Sequence, residues 1–427
     1  MRFRDLMIRN NASPYGMTAA ALLLFLVAFV FPPALYSSYI QEPDCMFLDP
    51  ASLVFFLLCT LGFLLGLMLV DFISPVHGFR YEKKETRISP MWFILLPLIA
   101  STTLAVLSII LLLRNNDYLL QLVLAAEGEQ IKSVGGIDLE GTIVQSTPAL
   151  MGVVWWAIWR KDQLDIRGWR RFAVHSSIIL ATLAMLTSST LSLARGDVMP
   201  MFTGIVILFL LRKLIAGKLK PLSALKFAAF FAGSIGALFV SFSMLRGSTG
   251  PDVLIGDILG YTIAAYNRLA AVLDGRLRYP FSGRGLYISG FVAFNNTFNK
   301  IFHVNQLFSW PDFDTVWRSE FEAVSSAGLN GRLIWSGAFG YAFSDLRWAA
   351  PLLIFIYGLV TGWAWRLLKL GKTAGIVLYP WCAFCVLFWF GTNYLLDPRA
   401  VVLFLVATAL GLYEMLFVRA PVEIVKK

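Results

Sequence analysis

The chain has 427 residues, of which 58% are apolar and only 15% are charged, with a formal net charge of +10. Soluble domains are about one quarter charged, so a water-soluble globular protein is excluded. Most of the positive charge follows from membrane topology, so it gives no argument for a nucleic-acid partner.

A helix needs about twenty apolar residues to cross a bilayer, because lipid offers the backbone no hydrogen-bond partner. On this criterion ten spans are predicted, at 18–38, 51–73, 91–113, 142–159, 173–193, 198–211, 223–245, 349–367, 375–395 and 400–418. The first is long and no clear Ala-x-Ala site follows it, so it is read as a retained span. Cys59, Cys382 and Cys385 lie inside apolar runs and are expected to be buried helix residues. Gly62-x-x-x-Gly66 and Gly358-x-x-x-Gly362 predict close helix packing.

The connections alternate in charge. Six of them, counting both tails, hold 23 of the 36 basic residues, among them Arg80, Lys84, Arg160, Lys161, Arg171 and Arg212. The positive-inside rule then places both termini in the cytoplasm. It divides the chain into spans one to seven (1–245), a large external loop (246–347) and spans eight to ten (348–427). That loop carries eight arginines (Arg246, Arg268, Arg276, Arg278, Arg284, Arg318, Arg332, Arg347) and one lysine, Lys300. Arginine outnumbers lysine 11 to 2 on the external side, against 12 to 11 inside. Topology makes no demand for guanidinium outside, whereas bidentate binding of phosphate oxygens does. The alternative is that the external arginines pair with external acids, of which the loop has eight.

Within the loop, 253–273 suits an interfacial or re-entrant helix. Residues 286–302 predict a second amphipathic helix, and the Trp-, Phe- and Asp-rich tract 305–320 predicts a lid on the membrane surface. Arg195, Arg246 and Arg399 each sit at the external end of a predicted span, placed to clamp a diphosphate. Arg278, Arg284 and Arg332 extend that set. His303 is the sole external histidine and a candidate general base; Glu320, Glu322 and Asp312 are alternative carboxylates. Asp312-Phe313-Asp314 has a metal-binding spacing but is too short to be specific, and no metal or cofactor is assigned.

This layout resembles the bacterial oligosaccharide repeat-unit polymerases (O-antigen polymerase, Wzy type). The likeness rests on an interfacial Arg195-Gly196 after a Ser/Thr-rich helix, one large late external loop, the Tyr287–Asn296 texture, and the return through Asp345 to a glycine-bearing helix. The family's Asp-Phe-Gly-like return is Asp345-Leu346-Arg347 here, which leaves the role of Asp345 open. The resemblance implies an all-α polytopic membrane glycosyltransferase of GT-C-like fold in the bacterial inner membrane. Its substrates would be glycans on undecaprenyl diphosphate, and its partners membrane lipid and a polysaccharide chain-length regulator. Trp310, Trp317 and Trp335 would stack on sugars. An O-antigen ligase-like enzyme, or a transporter of lipid-linked oligosaccharides or anions, remains the alternative.

Overall fold

The structure, a computed structural model, describes residues 12–40, 42, 47–76, 78–79, 84–115, 147–191, 195–215, 233, 236–237, 240–241, 244 and 250–418. Among them it is helical, with one isolated β-bridge between Thr86 and Val418. The predicted span 223–245 lies almost wholly outside the described residues, as do Arg246 and most of the connection 114–141.

Five helices are long and apolar enough to cross a membrane: Pro50–Ile73, Pro90–Arg114, Gly168–Leu191, Gly337–Lys369 and Pro398–Phe417. A sixth is possible if α1 (Pro14–Phe29) and α2 (Pro33–Ile40) form one broken span, but they meet at 92°. The bend falls at Pro32–Pro33, where proline removes the backbone donors a straight helix would use. The single run expected at 18–38 is therefore two helices. Their successors are α3 (Pro50–Ile73) and α4 (Pro90–Asn115). Local sequence sets several helix starts: Ser13 caps α1, and Asp49 with Ser52 forms a capping box on α3, each followed by proline at the first turn.

Two other expected spans form only shorter helices among the described residues. The run at 142–159 gives a 3-10 turn at Thr147–Leu150 and then α5 (Met151–Arg160), ten residues buried on every side. At 1.5 Å per residue it reaches about 15 Å, half the hydrocarbon thickness. After α6 (Gly168–Leu191) and α7 (Arg195–Ile215) comes the polar segment, followed by the C-terminal helices. There the run at 375–395 forms a helix only over Thr373–Leu387 and then unwinds to a short 3-10 turn at Tyr394–Leu396.

The polar segment is not a separate layer. It forms α8 (Pro251–Tyr261), α9 (Ile263–Leu273), α10 (Gly290–Ala293), α11 (Asn296–Phe302), α12 (Val304–Leu307), α13 (Phe313–Ser326) and α14 (Gly337–Leu346). The stretch 253–273, expected as one interfacial or re-entrant helix, is split at Thr262, and Ile263–Val272 of α9 are buried. Tyr266 of α9 packs edge-on against Phe25 and Phe56, which stack 3.8 Å apart in the bundle core. The helix expected over 286–302 is also broken: Asn295 caps a new helix, its side chain accepting from Phe298 N at 3.1 Å.

A turn at Arg347–Ala349 joins α14 to α15 (Ala350–Lys369), which is followed by α16 (Thr373–Leu387) and α17 (Pro398–Phe417). The two GxxxG sequences face one another across α3 and α15. A Cβ on Gly62 would lie 2.6 Å from Pro351 O, and one on Gly66 or Gly358 would strike the opposing backbone. Cys59, Cys382 and Cys385 are buried in helices, as their apolar surroundings predicted. The unwound backbone after α16 has a partner: Trp389 O accepts from Ala338 N at 2.8 Å. Gly337, at φ +71°, permits that approach, because any Cβ there would lie 2.6 Å from the same carbonyl. This contact fixes the start of α14, which carries the side chains described next.

Candidate functional site

Helix α13 starts at Asp312, whose carboxylate accepts from Thr315 N at 2.7 Å. Hydrogen bonds from Thr315 hold this carboxyl below the ordinary range, with Arg318 adding to the effect. Asp312 is thus occupied as a helix cap. Along α13, Val316, Glu320 and Val324 repeat every four residues and form its buried stripe. A carboxyl group therefore sits in the middle of an apolar seam.

Three tyrosines from two segments enclose Glu320. The Tyr341 hydroxyl, from α14, donates to Glu320 Oε2 at 3.4 Å. Tyr279 stacks on Tyr341 with ring centroids 5.1 Å apart, and Tyr287 lies 5.3 Å from Tyr341. Burial pushes the Glu320 carboxyl up to about 8, while the hydrogen bond from Tyr341 and the nearby Tyr287 hydroxyl pull the other way. Burial outweighs them because desolvation penalises the charged form. Burial, then the neighbouring Glu320, also raises the Tyr279 and Tyr287 hydroxyls. Such a carboxyl is largely protonated at neutral pH yet within reach of its base form.

Beside this cage, Asp345 organises the loop 283–288. Its carboxylate accepts four backbone N–H bonds, from Gly283 (3.0 Å), Gly285 (3.2 Å), Tyr287 (2.8 Å) and Ile288 (3.1 Å). Gly283 and Gly285 both take positive φ, at 78° and 74°, which turns successive N–H groups inward. Asp345 fills this anion-binding concavity from within the chain, so its role is to clasp the loop. The clasped loop presents Arg284, whose side chain is exposed and lies over the Phe281 ring. Trp310 Nε1 donates to Arg284 O at 3.1 Å, which ties the aromatic tract to the same turn.

The remaining sequence candidates lie on several elements. His303 is exposed at the junction of α11 and α12, in the left-handed region at φ 50°. Glu322, Arg278 and Arg332 are exposed. Among the described residues neither Arg278 nor Arg284 has a carboxylate partner. Arg399 does: Asp397 grips it with contacts of 2.6 and 2.5 Å, so its charge is already met. Arg195 opens α7, and its side chain lies outside the described set. Trp317 packs between Phe313 and Phe321, and Trp335 meets Tyr261 edge-on. Among the described residues no three His, Cys, Asp or Glu side chains group as metal ligands.

Sequence reading passed over a fully buried arginine. Arg268 on α9 is fully enclosed and pairs with Glu42, while its Nη2 also donates to Asn330 O at 3.0 Å. Tyr36 donates to Glu42 Oε2 at 2.6 Å, and Asn330 N to Oε1 at 3.0 Å. The pairing alternative foreseen for the external arginines thus holds for Arg268, Arg276 and Arg399, which face Glu42, Asp274 and Asp397. No protein-family model, curated protein or solved structure matches the chain.

Proposed function

We propose that the protein is a membrane glycosyltransferase that polymerises oligosaccharide units carried on undecaprenyl diphosphate, of the O-antigen polymerase type. The observation that carries this reading is Glu320: a buried carboxyl poised near neutrality, on the same polar segment as the exposed guanidinium groups of Arg284 and Arg278. In this reaction an acceptor sugar hydroxyl attacks the donor's anomeric carbon. The bond from that carbon to the diphosphate oxygen breaks, and the lipid diphosphate departs. The hydroxyl proton passes to ionised Glu320, and arginines meet the charge on the leaving group. A base whose proton affinity lies near ambient pH is the efficient kind. Glu320 is only 5% exposed, so an acceptor reaches it only when the tyrosine cage opens.

The test uses purified protein in detergent with undecaprenyl-diphosphate repeat units. Glycan lengthening is expected without nucleotide sugar, ATP or an ion gradient, because the bond energy resides in the diphosphate linkage. Glu320→Gln should stop turnover while lipid binding persists. If His303→Ala stops it and Glu320→Gln does not, the base is His303. The unwound backbone after α16 favours a second reading, since discontinuous helices line the sites of many carriers. Folded protein that leaves the substrate intact in detergent but moves lipid-linked glycan across liposomes would establish the carrier instead.

A further inference from the structure

We propose that the pocket where α5, α6 and α7 end binds a phosphate oxyanion, carried by the headgroup of an anionic membrane lipid. The pocket is a shallow depression lined by Lys161, Asp162, Ile166, Arg171, Val174 and His175. Lys161 follows the last turn of α5, and Arg171 and His175 stand on the first turns of α6. Arg212 arrives from the last turn of α7, donates to Ile158 O at 3.0 Å and pairs with Asp162.

The charges do not balance. Among the described residues three cations, Lys161, Arg171 and Arg212, meet here with one carboxylate, Asp162, which pairs with Arg212. Their crowding has a measurable consequence: burial, then Arg212 and Arg171, push the Lys161 ammonium down to about 8. Like charges gathered in a half-buried pocket repel, and a bound anion relieves that repulsion. His175 also lines the pocket, its ring held by Nδ1, which lies 2.7 Å from Arg171 O and donates to it.

The neighbourhood favours a lipid over a free anion. Trp169 and Phe172, on the same turns of α6, are 67% and 74% exposed, and α6 then continues as an apolar helix long enough to cross a membrane. Exposed aromatics at a span's end mark the headgroup level. Basic pockets between membrane helices at that depth suit anionic headgroups. The pocket shares no residue with the Glu320 site, and the proposal needs only that α6 spans the bilayer.

The full-length protein, purified in neutral detergent, is melted with phosphatidylglycerol, phosphatidylcholine or inorganic phosphate, and lipid retention is read by native mass spectrometry. Phosphatidylglycerol should raise the melting temperature and phosphatidylcholine should not. In Lys161→Gln/Arg171→Gln the rise should vanish, and phosphatidylglycerol should bind at least about ten-fold more weakly, the loss expected for one charge-assisted contact or more. Arg167→Gln, at the exposed Arg167–Asp165 pair, should keep the full rise. If the double variant fails to fold, the exposed Arg171→Gln alone carries the comparison. Equal rises in wild type and variant, or no rise in either, would overturn the site. An equal rise with inorganic phosphate would overturn the lipid as its source.

Discussion

The Arg268 guanidinium closes on the Glu42 carboxylate, 226 residues away along the chain, and both side chains are fully buried. Around them Tyr36, Asn267 and Asn330 tie the α2 turn, α9 and the end of the polar segment into one network. Asn267 Nδ2 donates to Tyr36 OH at 3.1 Å, and Asn330 Nδ2 to Ile40 O at 3.0 Å. Removing one member leaves an uncompensated charge in a site closed to water.

Glu42→Ala is therefore expected to destabilise the protein by about 3–5 kcal/mol, the usual cost of orphaning a buried charge. Replacing both partners by apolar residues, Glu42→Leu with Arg268→Met, should recover most of that loss. Thermal melting in detergent distinguishes the outcomes. Equal melting temperatures for wild type and Glu42→Ala would mean that the pair contributes nothing to the fold.

How far the sequence reveals this molecule depends on the range of the interaction. The GxxxG pairs and the caps at Asp49, Asn295 and Asp312 are local signals, and the backbone follows them. Arg268 looked like any other loop arginine, because nothing near it in sequence announces Glu42. The breaks at Thr262 and after Leu387 were invisible for a related reason. Apolar composition runs through both, and only tertiary partners such as the Ala338 N to Trp389 O bond permit the unwinding. Glu320 was visible as a carboxylate, but its tyrosine cage comes from residues 279, 287 and 341 and exists only after folding. For Asp345 a clue was present: Gly283 and Gly285 flank Arg284 at the spacing of a backbone concavity that receives an anion.

Asp345→Asn should loosen that loop without unfolding the bundle. An amide offers one acceptor oxygen in place of two, so about half of the four N–H bonds are lost. Hydrogen bonds to charged groups contribute about 1.5–3 kcal/mol each. Trypsin should then cut after Arg284 much faster than in wild type while melting of the bundle changes little. An unchanged cleavage rate would show that the clasp does not hold the turn.

Gly66→Ala and Gly358→Ala should each force α3 and α15 apart, since the added Cβ meets opposing backbone that cannot rotate away. Overpacking of this kind costs about 1–3 kcal/mol. Gly411→Ala on α17, where a Cβ meets nothing within 4 Å, is the matched control and should leave melting unchanged or slightly improved.

The Glu320 carboxyl makes a pH-dependent contribution whose sign is fixed. Its ordinary value is 4.5 and the fold raises it to about 8, so between those limits the folded state holds the proton more firmly than the unfolded state. Stability from this group is fully present below about 4.5, falls as pH rises, and is lost once pH passes about 8. Glu320→Gln, a permanent mimic of the neutral form, should flatten that slope. Melting curves from pH 5 to 9 read the difference. Parallel slopes in wild type and variant would place Glu320 in water and undo its assignment as a buried base.

The arginine reading is tested most sharply at Arg284, because its turn is held by Asp345 and its side chain faces solvent without an acid partner among the described residues. A guanidinium grips two phosphate oxygens through a planar fork, and an ammonium is a point charge on a flexible stem. If Arg284 stabilises the departing diphosphate, Arg284→Lys should fall nearly as far as Arg284→Ala. The expected loss is about 1.5–3 kcal/mol, or roughly ten- to a hundred-fold in turnover. Arg278→Lys and Arg332→Lys should follow the same pattern. Arg276→Lys should stay near wild type, since Arg276 already pairs with Asp274 and covers the Phe47 ring. Glycan lengthening by each purified variant at equal protein level measures this, with melting temperature as the check on folding. Normal lengthening by all three clamp variants would assign the leaving-group charge to residues other than these arginines.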